Sequence, residues 1–359
     1  MSFERDNIRR MQGYASGEQP DDDRTVKLNT NESPYPPAPA VQDVLNRFDP
    51  ASLRRYPPPT ANAFRDIAAK LHDVQRDNLI ATRGGDELLR LLITTFVDQG
   101  EYIAMSSPTY SLYPVLAQIQ DCPILQIPLQ DDWSLAADFC QQVNAKNTKL
   151  TLIVNPHAPS GRLLNRDQIA HLAANLDSIL LIDEAYIDFV DPDLNHDCLS
   201  LIQKFDNLVF LRTLSKGYGL AGLRFGYGIG TAALIQPMLE KTRDSYNLDL
   251  LSQTIACAAL QAQDYAQNTW QQVRAERQRM DVALHKMRLA PAASQANFLL
   301  TQIPASSTID AASLYLALKD DGILVRYFDQ PRLCDKLRLT IGTREENDQL
   351  LACLAKHLA

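Results

Sequence analysis

Three apolar runs dominate the centre of this sequence: KLTLIVN at 149–155, SILLID at 178–183 and NLVFLR at 207–212. A strand that is buried on both faces shows a nearly continuous apolar run, whereas a strand with one wet face alternates apolar and polar residues. A helical pattern at 165–176 separates the first two runs. Strands that alternate with helices predict parallel pairing through right-handed crossovers. We therefore expect an α/β fold with a large three-layer domain around a mostly parallel sheet.

The same alternation continues toward the N-terminus. Strand-like stretches at 78–82, 101–106 and 122–128 are separated by helical patterns at 85–97 and 111–120. These stretches extend the predicted sheet by further strands, because helix and strand still take turns along the chain.

The two ends of the chain have a different pattern of apolar and polar residues. Residues 249–288 have the pattern of one or two long polar helices, and short strands mixed with helices follow them. Residues 16–40 are rich in proline and cannot form a long helix, because proline lacks the amide donor. We expect an N-terminal arm over 1–45 that joins the small domain, a large domain over 46–255, and a linking helix with a small α+β domain over 256–359.

Composition excludes several functional classes. The chain has 359 residues, of which 45% are hydrophobic and 22% charged, and this is ordinary globular composition. Lysine plus arginine number 35 against 43 acidic residues, so the net charge is −8. An acidic chain without a basic block is a poor candidate for binding nucleic acid or an anionic membrane.

The cysteines and the N-terminus bear on the compartment. The six cysteines are scattered without a C-x-x-C pair, which argues against a zinc finger and a disulfide scaffold, and we expect no metal site. The opening MSFERDNIRRMQGY has charges where a secretory signal needs an apolar stretch. No apolar run approaches the roughly 18 residues that cross a bilayer. We expect a cytoplasmic protein.

Polar side chains stand where the apolar runs end. Asn155 closes the first run, Asp183 closes the second, and Ser215 and Lys216 follow the third. Open α/β sheets bind ligands beyond the carboxyl ends of their strands, so an amide, a carboxylate and an amine should converge there. A buried lysine loses its proton more easily, and the neutral amine is a nucleophile for carbonyl groups.

These segments resemble the signature blocks of the fold-type I, class II, pyridoxal-phosphate aminotransferases, and more narrowly of the histidinol-phosphate aminotransferase family. The blocks occur in family order: LNTNESP (28–34), RRYP (54–57), RGGDELL (83–89), PTYSLY (108–113), NPHAPSG (155–161), IDEAYIDF (182–189), RTLSKGYGLAGLRFG (212–226) and LRLTIGTREEN (337–347). The resemblance covers nearly the whole chain. It implies the fold-type I transferase fold, in which the large domain binds pyridoxal 5′-phosphate.

The resemblance implies a role for each matching residue around the cofactor ring. Lys216 would bind the cofactor covalently and later move a proton at the substrate α-carbon. Asp183 would pair with the pyridinium nitrogen, where a carboxylate keeps the ring protonated as an electron sink. Asn155 and Tyr186 would hydrogen-bond the ring hydroxyl oxygen, and Tyr110 would stack on the ring. Lys216, Asp183 and Tyr186 are the implied catalytic residues.

Further residues are implied for the cofactor phosphate. Gly85 and Asp86 would bind it with backbone amides at a helix N-terminus, which is a natural anion site. Ser215 and Arg224 would complete the cup. Tyr56 would reach the phosphate from a neighbouring subunit, so the resemblance implies a homodimer.

The implied substrate residues are Tyr14, Asn31, Arg326 and Arg338. Arg338 would grip the anionic end of the substrate with help from Arg326, and Tyr14 in the arm would close over it. The implied reaction moves the amino group of L-histidinol phosphate to 2-oxoglutarate, giving imidazole acetol phosphate and L-glutamate in histidine biosynthesis.

Two rival functions within the same fold stay open at this stage. A decarboxylase of threonine phosphate and an aminotransferase for aromatic amino acids share many of these blocks. The outcome depends on which substrate bond stands perpendicular to the ring, and side-chain placement decides that. One departure from the family pattern is His157, where the asparagine loop usually has a second asparagine; we expect a loop histidine without a role in the site.

Overall fold

The computed structural model of the chain describes residues 3–22 and 24–358. Its α-helices are α1 (Asp6–Arg10), α2 (Pro39–Arg47), α3 (Asn62–His72), α4 (Gly84–Phe96), α5 (Leu112–Ile119), α6 (Phe139–Asn144), α7 (Arg166–Asn175), α8 (Ala232–Pro237), α9 (Leu250–Gln261), α10 (Gln263–Lys286), α11 (Ala311–Asp320) and α12 (Arg344–Leu358). Its strands are β1 (Val26–Lys27), β2 (Leu79–Thr82), β3 (Ile103–Ser107), β4 (Ile124–Pro128), β5 (Leu150–Val154), β6 (Ile179–Asp183), β7 (Leu208–Thr213), β8 (Gly226–Gly230), β9 (Ala290–Pro291), β10 (Phe298–Gln302), β11 (Ile323–Leu324), β12 (Arg326–Tyr327) and β13 (Lys336–Thr340).

A seven-stranded sheet forms the centre of the molecule, in the order β2-β8-β7-β6-β5-β3-β4. β3 to β7 pair in parallel, and β8 is antiparallel to both of its neighbours, β2 and β7. The predicted α/β fold with a mostly parallel sheet is therefore confirmed. The three apolar runs of the sequence are its three adjacent central strands.

Helices cover both faces of this sheet. Leu152 and Leu181 pack into a core with α4 and α5, whereas their neighbours Ile153 and Ile182 pack into a second core with α3 and α7. Successive side chains of a strand point to opposite faces, so a strand between two cores must be apolar at every position. This is the physical reason for the continuous runs.

A smaller four-stranded sheet, in the order β12-β13-β10-β9, is antiparallel throughout. The N-terminal arm joins this region, because β1 pairs in parallel with β11 and the Thr340 amide donates to the Leu28 carbonyl (3.1 Å). The helix α2 begins at Pro39, at the first-turn position where proline's missing amide is not needed. The domain boundaries at 45 and 255 stay a prediction.

Among the described residues, no helix is both long and apolar enough to cross a membrane.

Candidate active site

A cavity of about 270 Å³ lies where the central sheet meets the small sheet and the arm. Val154, Asp183 and Thr213, the last residues of β5, β6 and β7, line it, so it opens at the carboxyl ends of the parallel strands. Twelve of the fourteen residues predicted for the site line this cavity: Tyr14, Asn31, Gly85, Asp86, Tyr110, Asp183, Tyr186, Ser215, Lys216, Arg224, Arg326 and Arg338.

Asp183 presents a buried carboxylate to the cavity. Its Oδ1 accepts a hydrogen bond from the Ala185 amide (3.1 Å), and its Oδ2 accepts one from the Tyr113 hydroxyl (2.8 Å). Burial raises the pKa of this carboxyl to about 6, although both hydrogen bonds lower it. A cationic group in the cavity would restore the stability of the charged form.

Lys216 is the amine of the cavity. Its Nζ donates to the carbonyl oxygen of Thr30 in the arm (2.7 Å). Burial, together with the positive charge of Arg338, lowers the pKa of this amine to about 8. About a tenth of the lysine is therefore a free amine at pH 7, far more than for an ordinary lysine, and the free amine is the form that attacks a carbonyl carbon.

The N-terminus of α4 forms an anion cup. The amides of Gly85 and Asp86 belong to the first helical turn, which has no intrahelical acceptor and no side-chain cap. Arg224 lies beside them, with its Nη2 3.2 Å from Asp86 and its Nη1 3.5 Å from Ser215. Gly84 has φ +75°, and a Cβ there would lie 2.8 Å from the Arg224 guanidinium. Glycine at this position keeps room for the arginine.

Tyr186 and Asn31 form a polar group on the other wall. Asn31 Nδ2 donates to the Tyr186 hydroxyl (3.0 Å), and the Thr340 hydroxyl donates to Asn31 Oδ1 (3.1 Å). Burial raises the pKa of Tyr186, so this hydroxyl stays protonated and can donate into the cavity. Across from it, Tyr14 meets the ring of Tyr110 edge to face, with centroids 6.0 Å apart.

Arg326 and Arg338 are directly opposite each other on the antiparallel strands β12 and β13. Like charges in such a cross-strand pair repel each other, unless an anion lies between them. The Arg338 Nη2 donates to the Asn29 carbonyl (3.0 Å), but its buried Nε has no hydrogen-bond partner within the chain. Both guanidinium groups lie over the ring of Phe328, at 5.3 and 5.4 Å from its centroid. This arrangement fits a bound phosphate or carboxylate.

Two predicted residues do not line the cavity. Asn155 is fully buried, and its side-chain amide exchanges two hydrogen bonds with the Leu164 backbone (2.7 and 3.1 Å). Tyr56 is 81% exposed and stacks on Tyr246 at 4.5 Å, outside the cavity of its own chain. The roles predicted for Asn155 and Tyr56 stay predictions.

Sequence reasoning missed Tyr113, which contacts Asp183 from below. A signal was present, because Tyr113 follows Tyr110 by three residues in PTYSLY, and a turn there brings the two residues together. His157 is buried rather than a free loop residue: its Nδ1 bonds the Ser160 hydroxyl (2.8 Å) and its Nε2 the Pro108 carbonyl (3.0 Å). It does not line the cavity, and burial lowers its pKa to about 4, so it is neutral.

The polar groups of the cavity indicate which class of ligand it can bind. The anion cup, the amine and the buried carboxylate fit a flat phosphorylated aldehyde whose ring nitrogen is protonated. Within residues 3–22 and 24–358, no group of three or more histidine, cysteine or acidic side chains is arranged to hold a metal ion.

Comparisons with known proteins agree with this chemistry. The sequence profile of the family described as aminotransferase class I and II matches residues 23–354. The chain is similar to histidinol-phosphate aminotransferase 1 of Trichormus variabilis, with 39% identity over 98% of both chains. It is also similar to the histidinol-phosphate aminotransferase of Synechocystis sp., with 40% identity over 98% of this chain and 97% of that one.

A solved structure has the same overall fold. The histidinol-phosphate aminotransferase of Sinorhizobium meliloti, in complex with pyridoxal-5′-phosphate, superposes with a TM-score of 0.85. The match has 25% sequence identity and covers 92% of this chain and 90% of that chain.

Proposed function

This chain belongs to the class I and II aminotransferase family, and we propose that it is the histidinol-phosphate aminotransferase of histidine biosynthesis. It moves the amino group of L-histidinol phosphate to 2-oxoglutarate, giving imidazole acetol phosphate and L-glutamate. The observation that carries this function is one cavity that holds a reactive amine, a buried carboxylate and a cross-strand pair of arginines.

The cavity suits pyridoxal 5′-phosphate as its cofactor. The amides of Gly85 and Asp86 and the Arg224 guanidinium would hold the phosphate, and the Asp183 carboxylate would face the ring nitrogen. Tyr110 would cover one face of the ring. When bound, this cofactor stores the amino group between the two half-reactions and withdraws electrons from the substrate α-carbon.

Lys216 is the residue that would transfer protons in this reaction. With its lowered pKa, the Nζ would take the proton from the substrate α-carbon and hold it for transfer within the site. The Tyr186 hydroxyl, positioned by Asn31, would hold the ring hydroxyl oxygen in place. The carbonyl oxygen of Thr30 accepts a hydrogen bond from the Lys216 Nζ and orients it.

The pair of arginines supports a single anion site that binds both substrates. Histidinol phosphate carries a phosphate and 2-oxoglutarate carries carboxylates, and a planar guanidinium binds either group with two parallel hydrogen bonds. Because the two substrates bind one after the other in the proposed reaction, one anion site can serve both in turn. The unpartnered Nε of Arg338 is one donor for this anion.

The decisive experiment is a half-reaction with one substrate. We expect L-histidinol phosphate alone to convert the cofactor of the purified enzyme to its amine form, seen in the absorption spectrum, and 2-oxoglutarate to reverse the change. Threonine phosphate and aromatic amino acids should convert it much more slowly at equal concentration. The Arg338→Ala variant removes one guanidinium of the anion site. It should require a far higher concentration of histidinol phosphate than the wild type for the same conversion.

Other outcomes of that experiment would redirect the assignment. Release of carbon dioxide from threonine phosphate would favour the decarboxylase reaction. Rapid conversion by aromatic amino acids without a response to histidinol phosphate would favour an aromatic aminotransferase. Either result would contradict the proposed substrate while keeping the fold.

We further propose a homodimer in which Tyr56 completes the partner's phosphate cup. Tyr56 and its neighbour Leu53, 81% and 56% exposed, leave an apolar surface outside the cavity of their own chain. Exposed apolar side chains grouped in this way are typical of an interface between subunits.

Mixing two inactive variants tests this dimer. Lys216→Ala and Tyr56→Ala should each be strongly impaired, but a hybrid dimer holds one site with both native residues. Random exchange of subunits should restore roughly a quarter of the wild-type activity, because half of the dimers are hybrids with one good site. Activity that stays at the sum of the two variants would show that each chain builds its site alone.

We also propose that the enzyme works in the cytoplasm. All six cysteines are free, and this supports a reducing compartment.

A further inference from the structure

Tyr113 contacts the Asp183 carboxylate from the side that faces the protein interior. It belongs to the first turn of α5, has no exposed surface, and does not line the cavity. Its hydroxyl donates to Asp183 Oδ2 at 2.8 Å, while the amide of Ala185 donates to Oδ1 at 3.1 Å. Each carboxylate oxygen therefore has one donor, and the two donors come from different elements of the fold.

The direction of the tyrosine hydrogen bond is determined by its surroundings. Burial and the neighbouring Asp183 charge raise the pKa of Tyr113 well above its ordinary value. The phenol therefore stays protonated around neutral pH, and its single hydrogen points to the carboxylate. Two fixed donors define the plane of a carboxylate and leave its remaining lone pairs facing the cavity.

The same residue also supports the stacking tyrosine. The rings of Tyr110 and Tyr113 meet edge to face with centroids 5.5 Å apart, and the Tyr113 amide donates to the Tyr110 carbonyl (3.2 Å). One turn of chain thus connects the aromatic wall of the cavity to the Asp183 carboxylate.

We propose that Tyr113 is a positioning residue of the transamination reaction, which orients the Asp183 carboxylate toward the protonated ring nitrogen of the cofactor. Tyr113 touches neither substrate nor cofactor and acts through Asp183. The inference rests on the proposed function, because only a ring with a basic nitrogen gives the oriented carboxylate a partner.

Tyr113→Phe removes one hydroxyl and keeps the ring, so it tests the hydrogen bond without opening a cavity. Tyr227→Phe is the matched control, because Tyr227 is also buried and its hydroxyl is 2.9 Å from His72 Nε2, away from the cavity. In the loaded enzyme we expect Tyr113→Phe to lower kcat about tenfold, the scale of one hydrogen bond to a charged group, with little change in KM. The control should keep wild-type kcat.

A second readout uses the cofactor-free protein and does not depend on activity. Infrared difference spectra between pH 4 and pH 8, with the Asp183→Asn variant for assignment, report the titration of the Asp183 carboxyl. Loss of the donor should move that titration upward by roughly one pH unit in Tyr113→Phe. The charges of Asp86 and Lys216, which also act on this carboxyl, and the hydroxyls of Tyr110 and Tyr186 are the same in both proteins.

The two readouts separate the possible failures. An unchanged carboxyl titration in Tyr113→Phe, or equal losses of kcat in both phenylalanine variants, would overturn the positioning role. A wild-type enzyme that ignores histidinol phosphate while the titration still shifts would overturn the proposed substrate and leave the hydrogen-bond assignment standing.

Discussion

Replacing Lys216 with alanine should lower kcat by roughly five to six orders of magnitude, the loss that follows removal of a covalent nucleophile. In the proposed reaction this side chain would supply both the amine that binds the cofactor and the base that moves the α-proton. The variant should still fold and bind the cofactor, because the cup formed by Gly85, Asp86 and Arg224 is untouched. Single-turnover absorption measurements with L-histidinol phosphate would quantify the loss.

The control for this variant is Lys286→Ala, in which an exposed lysine at the end of α10 is removed. It should turn over like the wild type. Normal turnover by Lys216→Ala would remove this lysine from the chemistry and, with it, the assignment of the cofactor.

Replacing Asp183 with asparagine should lower kcat by about 10⁴-fold, comparable to the loss when the buried aspartate of a catalytic triad becomes asparagine. Asparagine has nearly the same shape but no negative charge, so it cannot stabilise a protonated ring nitrogen. The affinity for the cofactor should fall as well. Both losses can be measured, by steady-state kinetics with saturating cofactor and by titration of the cofactor-free protein.

The same substitution should stabilise the cofactor-free protein at neutral pH. The folded-state pKa of Asp183 is raised to about 6, above the ordinary value of 3.8, so folding disfavours the ionised form. The free energy of unfolding from this group is therefore largest below pH 4 and falls as pH rises toward 6. At pH 8, Asp183→Asn should recover about 2 to 3 kcal/mol, seen as a higher Tm, and at pH 4 the advantage should vanish.

Asp188→Asn gives a matched comparison for the stability measurement. The Asp188 carboxyl is half-buried, and desolvation raises its pKa to about 7, but it does not line the cavity. It should raise Tm in the same pH range without a comparable loss of kcat. Equal stability of wild type and Asp183→Asn at pH 8 would contradict the burial of an ionised Asp183.

Much of the fold could be predicted from local pattern. Continuous apolar runs indicated strands buried on both faces, and Leu152 and Ile153 do pack into different cores. Because parallel strands end at one edge, the polar residues at the carboxyl ends of β6 and β7 had to approach each other, and Asp183, Ser215 and Lys216 line one cavity. Periodicity and strand direction are properties of the chain itself, and they need no distant contact.

The charge, pKa and orientation of the site residues depend on long-range contacts, which no local sequence pattern contains. The sequence does not show that Arg326 faces Arg338 across two strands, that Tyr113 donates to Asp183, or that the Thr30 carbonyl holds Lys216. These pairs join residues 12 to 186 positions apart, and their geometry follows from how the arm, the sheets and α5 pack together. Charge, pKa and orientation depend steeply on distance and burial, so packing decides them after residue type and spacing have placed the groups in the same crevice.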